Sequence, residues 1–217
     1  MDFAKIVEAI IEGEVESTME LTQLALAEGF PAEVILHKGL VAGMNTVADK
    51  FREQRVVVPE VLMATRAMHA GLSVLEPYFK GSAKKHRGKF ILGTVAGDLH
   101  DIGLTLVKMM VISTGGVVID LGVDVTAKKF VSAVRKEKPD ILMMSSLLTT
   151  TMTYMKEVIS ELEAKGLRKG LIIIVGGAPV DETFAREIGA DYYFGDAFEV
   201  HRFLLENLNK LLMRKSR

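Results

Sequence analysis

Phe90-Ile-Leu-Gly-Thr-Val-Ala96 is an apolar run that turns through Gly97-Asp98-Leu99-His100-Asp101-Ile102-Gly103 into a helix-spaced stretch ending near residue 114. The same alternation repeats down the chain. Apolar runs recur at 116–122 (GVVIDLG), 140–146 (DILMMSS), 171–177 (LIIIVGG) and 191–195 (DYYFG), with helix-like segments at about 126–137, 152–165, 181–188 and 197–213 between and after them. Strands that are apolar almost throughout, rather than at every second residue, belong to a parallel sheet covered on both faces. The alternation therefore predicts a flavodoxin-like (Rossmann-type), five-stranded parallel α/β domain. Ligands of such sheets bind at the carboxyl ends of the strands, so the loops after the runs are where chemistry is expected.

Upstream the period changes. From Asp2 to about Tyr78 apolar residues recur at three and four, as in Phe3, Ile6 and Ile10, or Val61, Ala64, Met68 and Leu72. Breaks fall at Gly13, at Gly29 to Pro31 and between Arg52 and Pro59, with Pro59 as a first-turn residue of the last helix. This predicts an N-terminal four-helix bundle. Gly81-Ser-Ala-Lys-Lys-His-Arg-Gly-Lys89 is polar, basic and bracketed by glycine, the composition of a linker. The expected domains are 1–83 and 88–217.

Lys plus Arg number 27 against 28 Asp plus Glu, so no broad cationic footprint for nucleic acid or anionic membrane is expected. The chain has no cysteine, which excludes disulfides, thiolate metal sites and thiol nucleophiles. The first residues, MDFAKIVEAIIEGEVEST, mix acids with apolar residues and lack a signal-peptide pattern, and no apolar run reaches membrane-spanning length. A cytoplasmic protein with no membrane or nucleic-acid partner is the expectation.

The loop after the first strand puts an imidazole and two carboxylates in one turn. A histidine there can bind a metal through one ring nitrogen while a carboxylate accepts a hydrogen bond from the other, and Asp98 is placed for that role behind His100. One histidine is too few for a protein-built zinc or iron site, so such a metal would arrive with its other ligands attached. The same residues also suit a plain helix start, with Asp98 and Asp101 as caps and His100 a half-exposed loop residue. Two further loops enrich the edge: Ser145-Ser-Leu147-Leu-Thr149-Thr-Thr151 offers hydroxyls, and Gly176-Gly177-Ala178-Pro179 offers glycines that let a bulky group approach. G-x-G-x-x-G and a Walker lysine are both missing, which argues against a nucleotide site. No lysine follows LIIIVGG as a phospho-receiver would need.

Asp98-x-His100-x-x-Gly103, Ser145-x-Leu147 and Gly176-Gly177 together resemble the signature of the cobalamin-binding domains of methionine synthase, the corrinoid mutases and the corrinoid proteins of methanogens and acetogens. The resemblance implies cobalamin as cofactor, with His100 as the lower axial ligand of cobalt in place of the cofactor's own base, and Asp98 and then Thr151 behind it. It places Gly97, Leu99, Asp101 and Ile102 in the same cofactor-binding loop. The displaced nucleotide tail would occupy a slot between the first and third strands, beside Gly103, Ser145, Leu147 and Thr149 and against Gly176 and Gly177. Gly195-Asp196-Ala197 would close its far end.

The resemblance extends to the first domain. Gly43-Met-Asn-Thr-Val-Ala-Asp-Lys-Phe51, Val58-Pro-Glu-Val-Leu-Met63 and Leu75-Glu-Pro77 look like the helical cap that precedes the cobalamin domain in methionine synthase and in stand-alone methyl carriers. Mutases lack this cap, so methyl transfer is implied rather than radical rearrangement. Phe51, Val58 and Val61 would shield the upper face of the corrin; read without the resemblance, they are equally bundle core. Ala48, where the family usually has Gly, and Val58, where methionine synthase has Leu, depart from the pattern.

A carrier of this kind cycles between Co(I) and methyl-Co(III) and has no catalytic residue of its own. Its implied partners are a substrate-specific methyltransferase, a second methyltransferase acting on tetrahydrofolate or a thiol, and a reductive activator of Co(II). A cobalamin-dependent sensor and a cofactor-free interaction module are the alternatives, opposed by the lack of a basic face and by the intact Asp98, His100 and Gly103. The 12 methionines read as flexible core. His37, His69, His86 and His201 receive no role, and the basic end at 214–217 suits a helix C-terminus.

Overall fold

The computed structural model of the chain describes residues 2–79, 88–114 and 116–214. It divides into two compact units, Met1–Phe79 and Lys80–Arg217. Of the expected linker, Gly81 to Lys89, residues 81–87 with His86 among them lie outside the described residues, as do the last three of the chain, and Lys89 already belongs to the first strand.

The first unit is built from α1 (Ala4–Ile11), α2 (Val15–Ala27), α3 (Ala32–Ile35), a π-helical segment at Leu36–Val41 that joins α3 to α4 (Ala42–Arg52), and α5 (Val58–Phe79). The chain turns where the sequence breaks were read. Gly13 ends α1 at φ 71°, and a Cβ there would lie 2.6 Å from that of Met63. At the start of α5 the Glu60 side chain reaches back to the preceding residue: Val57 N–H donates to Glu60 Oε2 at 2.7 Å. Gly39 and Gly43 let α1 come close, since a Cβ at either would press within about 3 Å of Ile6 or Ile10. Buried Thr18 and Thr22 donate to the carbonyls of Glu14 and Thr18, so their hydroxyls are satisfied inside the bundle.

The second unit alternates β1 (Lys89–Thr94), α6 (Ile102–Ser113), β2 (Val117–Asp120), α7 (Ala127–Glu137), β3 (Ile141–Ser145), α8 (Thr153–Ala164), β4 (Ile172–Gly176), α9 (Glu182–Glu187), β5 (Tyr192–Phe194) and α10 (Ala197–Arg214). The sheet is parallel in the order β2-β1-β3-β4-β5. On one face Phe130, Met155, Val158 and Leu162 of α7 and α8 pack on Ile91, Leu142 and Ile173. On the other, Leu104 and Val111 of α6 and Leu204 and Leu208 of α10 pack on Phe90, Leu92 and Met143. Both faces of β1, β3 and β4 are thus covered, which is why these strands read as unbroken apolar runs. Side chains cap two of the helix starts: Thr126 accepts from Lys129 N–H and Asp181 from Phe184 N–H. Strand order reverses between β1 and β3, and their register sets Thr94 beside Ser145. The loops leaving these two strands are therefore neighbours at the switch point.

Candidate functional site

The site grows from that register. After β1 the chain turns at Gly97, whose φ of 77° suits glycine, and drives Asp98 inward until none of its surface is exposed. Such a carboxylate must be fully hydrogen-bonded. Asp98 Oδ2 accepts from Leu147 N–H at 2.7 Å, Thr151 Oγ1 at 3.2 Å and Ser146 Oγ at 3.3 Å. Oδ1 accepts from His100 N–H at 3.0 Å and faces His100 Nδ1 at 2.7 Å. Burial pushes the Asp98 pKa up, but the N–H groups of Leu147 and His100, and then the His100 ring, outweigh it and hold it below the usual carboxylate value. Asp98 is therefore an anion and an acceptor, so the proton of the His100 ring sits on Nδ1.

That leaves Nε2 with its lone pair on a side chain half exposed at the edge (50%). Thr94 Oγ1 pins the loop from below, donating to the His100 carbonyl at 3.0 Å. Among the described residues no three His, Asp or Glu side chains converge to hold a metal ion. The chain can supply one nitrogen to a metal that brings its own remaining ligands. The helix-cap reading does not survive: Asp101, at the start of α6, makes no side-chain capping bond, and the Asp98 carboxylate turns to β3 and His100.

Beside the loop lies a cavity of about 280 Å³, near the lower end for small-molecule pockets. Gly103, Ser145, Leu147, Gly176, Gly177, Gly195, Asp196 and Ala197 line it, with Leu104, Val107, Phe194 and Val200 adding apolar wall. It lies over β3 and β4 and the end of β5, between the starts of α6 and α10. Thr149 is exposed beside the β3 loop and does not line the cavity; neither do Gly97, Leu99, Asp101 or Ile102, and Leu99 is 72% exposed. The paired glycines also allow close approach within the protein itself. A Cβ on Gly177 (φ 122°) would fall 1.8 Å from Ser146 O, and one on Gly176 2.7 Å from Phe194 O, so the bulk they admit is the protein's own backbone. Gly103 is the opposite case, with nothing within 4 Å of such a Cβ.

Phe51 and Val61 belong to the first unit. Phe51, in the last turn of α4, is 46% exposed and so is not bundle core, while Val61 in α5 is half-buried. The side chains of Ala48 and Val58 lie outside what the structure describes. Two residues that motif reading missed are central. Ser146 sits 2.8 Å from Thr151 Oγ1 and joins it on Asp98. Its signal was its place next to Ser145, since successive strand residues point to opposite faces. Asp124, from the loop after β2, accepts the Gly97 N–H at 2.7 Å.

A doubly wound domain whose switch-point loop offers one histidine backed by a buried carboxylate, beside an apolar cavity, suits a metal that arrives already chelated. Two family models, each described as a B12 binding domain, match residues 88–201 and 3–76. The chain belongs to the family of B12-binding corrinoid proteins. A corrinoid protein of Desulfitobacterium hafniense is 39% identical over 94% of this chain and 94% of its own. A dimethylamine corrinoid protein of Methanosarcina acetivorans is 38% identical over 90% of this chain and 91% of its own. Among solved structures, the monomethylamine corrinoid protein of Methanosarcina barkeri superposes with a TM-score of 0.86 at 38% identity, covering 93% of this chain and 96% of that one. The methanol:cobalamin methyltransferase complex of the same organism contains a chain 29% identical to this one, with a TM-score of 0.54, covering 98% of this chain and 83% of that one. No helix among the described residues is long and apolar enough to cross a membrane.

Proposed function

We propose that the protein is a methyl carrier that holds cobalamin with His100 as the lower axial ligand. It would receive the methyl group from a substrate-specific methyltransferase and surrender it to a second one acting on tetrahydrofolate or a thiol, with a reductive activator to return any Co(II) to Co(I). The observation that carries the reading is the buried Asp98, whose bonds to Leu147, Ser146, Thr151 and His100 leave Nε2 as the one ring nitrogen free to bind a metal. The relatives named for dimethylamine and monomethylamine support a methylated amine as the methyl donor.

The residues present fit the cofactor. The His100 side chain is half exposed at the edge, and the cavity wall beside Gly103 has space where any side chain would intrude. When bound, the corrinoid supplies a cobalt centre able to carry a methyl group. The chain's own residues do the rest. Asp98 keeps the Nδ1 proton in place and sets how strongly Nε2 donates. Leu104, Val107 and Phe194 give the cavity an apolar wall, and Gly103, Ser145 and Leu147 line it as well. The test is the absorption spectrum of the protein after incubation with hydroxocobalamin and desalting, beside that of His100→Ala. Wild type should retain a histidine-ligated, base-off spectrum and the variant should lose that signature. A colourless wild type would end the cobalamin reading. Alone, the carrier should show no steady turnover of a methylated substrate.

A further inference from the structure

Asp124 lies in the loop between β2 and α7, outside every motif read above, with its backbone in the left-handed region at φ 52°. That conformation is uncommon for a residue with a Cβ, though Asp and Asn adopt it more readily than most. Here it lets one residue grip the metal-edge turn twice. Asp124 Oδ1 accepts the Gly97 N–H at 2.7 Å, and the Asp124 N–H donates to the Asp98 carbonyl at 3.0 Å. The strand ends alongside are tied as well: Thr94 N–H donates to the Gly122 carbonyl at 3.0 Å, Val125 N–H donates to the Thr94 carbonyl at 2.9 Å, and Val95 and Val125 form a parallel bridge.

We infer that Asp124 is a positioning residue for His100. Leu147, Ser146 and Thr151 hold the Asp98 carboxylate from the loop after β3, and from β1 and its end the Val95 carbonyl accepts the Asp98 N–H at 3.2 Å while Thr94 Oγ1 donates to the His100 carbonyl. Asp124 adds the hold from the β2 side, on the Gly97 N–H and the Asp98 carbonyl, the two backbone groups of the turn that those bonds leave to it. The direction of Nε2 is then fixed by two loops on opposite sides of β1. The clamp is a property of the folded chain; its purpose rests on the reading of His100 as the ligand.

The test uses Asp124→Asn, which keeps the acceptor; Asp124→Gly, which loses it and relieves the left-handed backbone; and Asp124→Ala, which loses it and keeps the strain. Hydrogen exchange of the Gly97 amide in the cofactor-free protein reads the clamp directly. It should match wild type in the Asn variant and be about tenfold faster in both Gly and Ala variants, the order expected for one good hydrogen bond. After loading with hydroxocobalamin, the histidine-ligated fraction of the spectrum should fall in the Gly and Ala variants and hold in the Asn variant. Unchanged exchange and ligation in Gly and Ala overturn the proposal. So does a wild-type-like Gly variant with an impaired Ala variant, which would assign the effect to backbone strain. Should the Ala variant fail to fold, the Gly variant carries the test. If His100→Ala keeps the wild-type spectrum while Gly97 exchange still responds to Asp124, the clamp stands and the ligand reading falls. If His100→Ala loses the spectrum while Gly97 exchange ignores Asp124, the reverse holds.

Discussion

Asp98 concentrates the energetics of the site in one side chain. A carboxylate with no exposed surface that receives two backbone N–H groups, two hydroxyls and an imidazole has its acceptor sites filled. An Asn there keeps one oxygen and sets its NH₂ group against donors. Asp98→Asn should therefore lower stability by about 2 to 3 kcal/mol in urea unfolding, the cost of losing hydrogen bonds to a buried charge. The pH dependence follows from the lowered pKa. As pH falls, the unfolded chain takes up this proton before the folded one does. The stabilisation is thus full above the ordinary carboxylate value of about 4 and is lost as pH drops from there through the folded value. Across that acid range the melting temperature of wild type should fall more steeply than that of Asp98→Asn, which has no carboxyl to protonate at this position.

At the level of elements, the glycines separate what the fold requires from what a ligand requires. Gly177→Ala should unfold the second unit or destabilise it by more than about 3 kcal/mol, because its Cβ would meet Ser146 O at 1.8 Å on a left-handed backbone. Gly103→Ala should leave the melting temperature equal or slightly higher, since it removes a glycine from the first turn of a helix with no clash. Yet its methyl group would enter the cavity, so retention of cobalamin after desalting should drop. Wild-type retention in Gly103→Ala would remove the cavity from the site. The strands were legible because doubly covered parallel strands are continuous apolar runs, and β3 and β4 fall within a residue of the reading. The π-helical segment at Leu36–Val41 was not, because Leu36, Leu40 and Met44 keep the four-residue spacing that also marks an α-helix. Nor were the partners of Asp98 and Gly97. Ser146 lies 48 residues from Asp98 and Asp124 lies 27 from Gly97, distances across which only the sheet order says who meets whom.

On the scale of the whole molecule, the chemistry that can be traced residue by residue lies within the second unit. The His100 support runs from Thr94 to Thr151, and the cavity wall from Gly103 to Val200. The first unit has its own buried core, with Ile6, Ile10, Leu36, Leu40, Met68 and Leu75 fully inside. Each unit therefore has the apolar core that independent folding needs. A fragment of residues 88–217 should melt cooperatively and, after incubation with hydroxocobalamin and desalting, retain a histidine-ligated spectrum that His100→Ala abolishes. Its retention half-time set against that of the full chain measures what residues 1–87 add to holding the cofactor. If the fragment folds but stays colourless while the full chain binds, the lower-face network is insufficient, and the decisive contacts come from the helical unit. Phe51 is then the first position to substitute, being a large apolar side chain that its own bundle leaves 46% exposed.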